Sequence, residues 1–172
     1  MSVLSNKSAT AIAETGTVNV AARLSAMATA RPEQVAVATT AGRGADGERI
    51  YRTVPFSALE RDTNRIASGL IEAGAEPGRR LVLLVRPGID FIALVFAMLK
   101  AGVVIVLIDP GMGRRNLIRC LAESQPDGFV ALPLVHAVRT LLVHRFRTAR
   151  FNYTEGKRRF WGGSTLEQIL QG

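Results

Sequence analysis

At Gly102 the hydrophobic pattern of this chain changes period, and the change limits what the chain can fold into. From Ile89 to Ala101 the residues are helix formers, with Ala93, Ala97 and Ala101 four apart on a smooth face suited to close packing. After Gly102, Val103-Val104-Ile105-Val106-Leu107-Ile108 is a continuous β-favouring run closed by Asp109-Pro110. A helix, a glycine stop and an apolar strand in succession describe a strand lying beside the helix that feeds it, as in an α/β domain. So few polar residues predict a parallel strand covered on both faces.

Taken as one segment, Ile89 to Ile108 is long and apolar enough to span a bilayer. The change of period argues against that reading. So do Asp90 and Lys100, each of which costs about 2.5–3.5 kcal/mol at the centre of a membrane helix. At the two ends of a soluble helix the same charges complement its dipole.

The flanking chain extends the alternation. Asn19 can cap a short helix to about Thr29, stopped by Arg31-Pro32. Val35 to Thr39 and Ile50 to Thr53 read as strands joined by a glycine-rich hairpin loop over Ala41–Glu48. Pro55 opens an amphipathic helix whose stripe is Phe56, Leu59, Thr63, Ile66 and Leu70, ended by Gly74. After the Pro77-Gly78 turn come strands at Arg80–Val85, Val103–Ile108 and Phe129–Leu132, with a helix at about Arg114–Glu123 before the last. Leu134 to Val143 has helical spacing, and Phe151 to Phe160 suggests a strand pair about Gly156. Ser164-Thr165-Leu166-Glu167 reads as a capping box opening a final helix. The expected fold is α/β, a mostly parallel sheet flanked by helices, with residues 1–18 a disordered tail and 19–172 a partial domain.

With 172 residues and 48% apolar content, the chain can bury a real core. One cysteine, Cys120, excludes an internal disulfide and fits a reducing cytosol; on its helix beside Leu117 and Leu121 it reads as a packed thiol. The net charge is +8, carried almost wholly by arginine. The densest basic stretch, Arg139 to Arg159, interleaves Arg145, Arg147, Arg150, Lys157 and Arg158 with Phe146, Phe151, Tyr153, Phe160 and Trp161. That pattern raises a basic binding module for nucleic acid or anionic lipid as the alternative function. A solvated edge with core aromatics is the plainer reading, and no RNA-binding signature accompanies it.

Few residues have the makings of a chemical site. Gly111 and Gly113, between a strand and a helix, with Arg114 and Arg115 at the helix start, form a candidate anion site. Asn116 stands where a dinucleotide fingerprint needs a small residue, and no Walker loop exists. Asp109 reads as a cap of the turn after its strand. His136 and His144 lack partners at metal-ligand spacing, so no metal site is expected. Glu60, Asp62 and Glu72 read as the wet face of a helix.

Several segments resemble the adenylate-forming superfamily of acyl-CoA ligases, peptide-synthetase adenylation domains and luciferases. They are Tyr51-Arg52-Thr53-Val54-Pro55-Phe56-Ser57-Ala58-Leu59, Asn64 to Leu70, Gly74 to Val82 and Leu99 to Pro110, in the family's order and spacing from about residue 19 to 132. Within it, Ile105 to Ile118, and Phe160-Trp161-Gly162-Gly163, look most like the olefin-pathway β-lactone synthetases. The resemblance implies a parent enzyme that uses ATP and Mg to activate a β-hydroxy fatty acid, whose hydroxyl then closes on the acyl adenylate and releases AMP. It covers only the first part of the family's large N-terminal domain. The Ser/Thr/Gly-rich phosphate loop ending in Pro-Lys-Gly, and the lysine of the mobile C-terminal domain, have no match here. No catalytic residue is therefore carried over. The chain alone is expected to be inactive and to hold no cofactor; its partners are a fatty acyl substrate in the parent and the missing remainder of the domain or a partner subunit.

Overall fold

The computed structural model describes residues 19–133, 135, 136, 140, 146, 149, 151–154, 164 and 165. The expected tail over 1–18, His144, every basic residue from Arg139 to Arg159, Phe160, Trp161 and the expected final helix beyond Thr165 lie outside them. Leu134 to Val143 is helical where described, at Val135, His136 and Thr140.

Helix α1 spans Ala21–Ala30. Asn19 Oδ1 accepts from the Ala21 N–H at 2.9 Å, the expected cap, while Asn19 Nδ2 donates to the Leu99 carbonyl at 2.6 Å. Strands β1 (Val35–Arg43) and β2 (Arg49–Pro55) form an antiparallel ribbon. It is longer than its glycines suggest, because pairing resumes at Gly42 and Arg43 after an irregularity beyond Thr40, and the expected loop shrinks to residues 44–48.

Helix α2 (Phe56–Glu72) buries the predicted stripe, Leu59, Thr63, Ile66 and Leu70, with Phe56 half-buried. Helix α3 spans Ile89–Lys100, with Ala93, Ala97 and Ala101 buried. Gly102, at φ +73°, takes the left-handed position that ends α3: Val103 N–H donates to the Met98 carbonyl at 3.2 Å and Gly102 N–H to the Leu99 carbonyl at 3.1 Å. The Gly78 N–H in turn donates to the Gly102 carbonyl at 2.9 Å, which joins the turn after α2 to the turn after α3.

The main sheet contains β3 (Arg80–Leu84), β4 (Val104–Val106), β5 (Gly128–Ala131), β6 (Phe151–Thr154) and β7 (Ser164–Thr165), all parallel, in the order β4-β3-β5-β6-β7. Helix α4 (Arg114–Glu123) lies between β4 and β5 in the chain. Alternation sorts the strand residues to two faces. Leu81, Leu83, Val130 and Tyr153 pack with α1, α2 and α3, whereas Val82, Phe129 and Ala131 pack with Leu121 of α4, Phe146 and Ala149. Phe129 and Phe146 meet edge to face, ring centroids 5.3 Å apart.

Three local expectations meet non-local pairing. The apolar run at 103–108 is not a strand covered throughout on both faces: β4 pairs only at Val104–Val106, lies at the edge of the described strands, and leaves Val104 49% and Leu107 56% exposed. Val103 is lost to the strand because its N–H serves the α3 cap. Ser164 and Thr165, read as the start of a capping box, pair with Tyr153 and Thr154 as β7, and the expected helix after them lies outside the described residues. Finally, β6 pairs with β5 on one side and with β7 on the other, while the remainder of the expected strand pair about Gly156 lies outside the described residues.

Candidate functional site

In chain order the parallel strands run 2-1-3-4-5 across the sheet, so the direction of winding reverses between β3 and β5. Ligands of doubly wound sheets bind outside the carboxyl ends of the strands near such a reversal. Here that rim is built from the loops leaving β3 (Val85 to Gly88), β4 (Leu107 to Gly113) and β5 (Leu132, Pro133). The reversal itself has no signature in any one segment, which is why Arg86 and Gly88 escape sequence reasoning.

The candidate anion residues all lie on this rim. Pro110–Met112 form a short 3-10 turn, Gly113 precedes α4, and Arg114 and Arg115 are the first residues of α4, both exposed. Asp109 caps the turn, its Oδ1 accepting from the Gly111 N–H at 2.8 Å. The amide of Gly111 is thus already bonded to a carboxylate, and the positive groups facing outward are Arg114 and Arg115. Arg86, after β3, is a third exposed cation at the same end of the sheet. Such a rim can attract an anion. Among the described residues of this rim, no nucleophile and base are in contact.

The other candidates are structural. His136 is buried with Nε2 2.8 Å from the Tyr153 carbonyl oxygen, and the Tyr153 hydroxyl donates to the Ala73 carbonyl at 3.3 Å, its pKa pushed up by burial. Cys120 is half-buried and free on α4. Among the described residues no group of His, Cys, Asp or Glu could hold a metal ion, and no helix is long and apolar enough to cross a membrane. Phe146 and Tyr153, which a base-stacking surface would display, are buried in the core.

Glu60 corrects the sequence reading. It is not on a wet face: its side chain is 19% exposed and faces Lys100, 13% exposed, at 2.6 Å between Oε2 and Nζ. Ser25 Oγ donates to Glu60 Oε1 at 2.7 Å, and Lys100 Nζ also donates to Asn64 Oδ1 at 2.6 Å. This network joins α1, α2 and α3. One signal was present, one of only three lysines in a chain whose other basic side chains are almost all arginine.

A profile of the AMP-binding enzyme family matches residues 24–158, most of the chain. The chain belongs to the AMP-binding enzyme family. Among curated members, the olefin β-lactone synthetase of Xanthomonas campestris pv. campestris is 41% identical over 152 residues, 88% of this chain and 27% of its own. That of Stenotrophomonas maltophilia is 42% identical over 153 residues, 88% of this chain and 28% of its own. This AMP-binding chain therefore spans little more than a quarter of the length of those relatives. Among solved structures, coronafacic acid ligase from Pectobacterium brasiliense and a long-chain-fatty-acid-CoA ligase from Archaeoglobus fulgidus each superpose with TM-score 0.74 at 16% identity. Each match covers 90% of this chain and 30% of the other. The α/β fold expected from sequence is the fold of these AMP-binding enzymes.

Proposed function

We propose that this chain is the N-terminal portion of an enzyme that activates a fatty acid as its acyl adenylate, with residues 19–172 part of one AMP-binding-type domain. The substrate class is a β-hydroxy fatty acid. Its carboxylate attacks the α-phosphorus of ATP and expels pyrophosphate; the β-hydroxyl oxygen then bonds to the acyl carbon, AMP leaves and the hydroxyl proton passes to solvent, giving a β-lactone. The observation that supports this reading is the 41–42% identity to two olefin β-lactone synthetases over 88% of the chain. The described residues offer no cluster of metal-ligating side chains for the Mg that accompanies ATP, so no residue here is assigned to hold it.

In this reading the chain provides scaffold and a cationic rim rather than chemistry. Adenylyl transfer needs charge stabilisation of the phosphates at fixed positions, and the exposed Arg114 and Arg115 do not amount to that. The 172-residue polypeptide, a single-cysteine protein suited to the cytosol, is inactive alone.

A pyrophosphate-release assay with ATP and a β-hydroxy fatty acid tests this. The purified chain should give no turnover. Mixed with a polypeptide comprising the remaining length of the Stenotrophomonas relative, it should release pyrophosphate and form β-lactone. Turnover by the chain alone would overturn the claim of inactivity; an active mixture that rejects fatty acids would overturn the substrate class.

A further inference from the structure

A cleft of about 210 Å³ opens between α1, the start of β1, and residues of α2 and α3. Its walls follow from helix spacing. Leu24 and Met27 come from one face of α1, and Ile92 and Phe96, four apart, from one face of α3. Phe56 and Leu59 of α2 complete the lining with Ala36 and Val37 of β1. Neighbours on a regular strand point to opposite faces, yet both of these β1 side chains line the cleft. The register of β1 against β2 shifts between Val35 and Val37, and such an irregularity re-aims the Ala36 side chain. A residue as small as alanine there leaves space that a larger one would fill.

The cleft shares no residue with the rim at the carboxyl ends of the strands. It is larger than a cavity of ~150 Å³ that stays dry and takes up benzene, and all but one of its lining side chains are apolar. Water in it lacks the polar partners that would hold it, and an empty cleft forfeits dispersion contacts. The remaining lining residue is Arg23, exposed and one turn before Met27 on α1. Among the described residues its guanidinium has no hydrogen-bond or ion-pair partner. Glu60, bonded to Ser25 of the same helix, is already paired with Lys100. An apolar slot with a free cation at its margin matches an apolar chain that ends in an anion.

We infer that this cleft is a binding site for an aliphatic carboxylate, its chain lying between α1 and α3 and its carboxylate on the Arg23 guanidinium. At ~30 Å³ for a group the size of a water molecule, the volume holds roughly seven such groups, the length of octanoate without its carboxyl carbon. Asn19 Nδ2 donates to the Leu99 carbonyl, and Met27 and Ile92 share the lining, so α1 and α3 run antiparallel here. The bound chain therefore points from Arg23 toward Met27 and Ile92. The inference stands apart from the proposed activity, since it assigns no chemistry to the bound acid.

The test titrates octanoate into the 172-residue chain and follows the methyl NMR signals of carbon-labelled methionine. The Met27 methyl should shift saturably while that of Met112, on the rim, stays in place. Arg23→Gln should weaken octanoate about fivefold, the upper range for an exposed ion pair, and leave 1-octanol within about twofold. Ala36→Leu should abolish binding of both and unfold at no lower temperature than the parent chain. Should that variant not fold, the Met27 shift and the Arg23→Gln comparison decide alone. No saturable shift at Met27, or a shift at Met112 in its place, would overturn the inference. So would octanoate binding that survives in folded Ala36→Leu, or an Arg23→Gln variant that treats octanoate and octanol alike.

Discussion

Replacing Gly128 with alanine lowers the unfolding temperature by roughly 10 °C, the equivalent of about 3 kcal/mol for a domain of this size. Gly128 pairs with Phe151 where β5 meets β6, and all of β5 is buried. A Cβ at Gly128 would stand 2.7 Å from Phe151 Cβ and 2.9 Å from its carbonyl carbon, with the carbonyl oxygen nearer still. Non-bonded carbon atoms prefer about 3.5–4.0 Å, and a backbone on both sides leaves no flexible side chain to yield. Circular dichroism against temperature measures the loss. Trimming the neighbour in a Gly128→Ala/Phe151→Gly pair should not restore it, because the carbonyl of residue 151 remains in place. An unchanged midpoint for the single variant would show that β5 and β6 do not approach this closely.

The second large effect belongs to Lys100. Replacing it with methionine removes the charge facing Glu60 and leaves a carboxylate with little access to water. Breaking a fully buried pair costs about 3–5 kcal/mol, and the residual exposure of this one reduces the expected loss to about 2 kcal/mol. Burial pushes the Glu60 pKa up, but hydrogen bonds from Lys100 and Ser25, the Lys100 charge and Asn64 outweigh it, so the pKa is lowered from its ordinary 4.5. With the folded value below the unfolded one, the stabilisation is complete above about pH 4.5 and is lost as pH falls through the lower folded value. Urea unfolding should therefore separate the parent chain and Lys100→Met at pH 7 and bring them together as pH falls through the lowered folded value of Glu60. An equal gap above and below that value would mean that the loss comes from packing rather than charge. Replacing both partners, as Glu60→Leu with Lys100→Met, should recover much of the stability.

The contrast between these residues shows what a sequence can and cannot disclose. The helix stripe from Leu59 to Leu70, the stop at Gly102 and the strands at Arg80 and Phe129 were legible because each depends on neighbours a few residues away. Period, cap and turn chemistry are local. Which strand lies beside which is not: β5 inserts beside β3 rather than β4, and that choice alone turns the run at Val103–Ile108 into an edge. Ser164 and Thr165 carry the letters of a helix cap, yet pairing with β6 decides their conformation. Glu60 looked solvated because its partner is forty residues away. At the site, Asp109 was readable as a turn cap from its place before Pro110 and Gly111, and the structure bears that out. The rim formed by three separate loops could not be read, since no single segment records the reversal of winding.

The amino ends of the strands are fastened to one another. Gly78 bonds to Gly102, Val104 to Arg79, and the Asp127 carboxylate to the Arg80 N–H at 2.8 Å, with the Asp127 N–H returning to the Arg80 carbonyl. Sliding β4 or β5 along β3 would break several of these bonds at once. The sheet is thus moored at one margin, and any spreading of its loops to admit a guest at the opposite margin must fan outward from that fixed line, as fingers open from a palm.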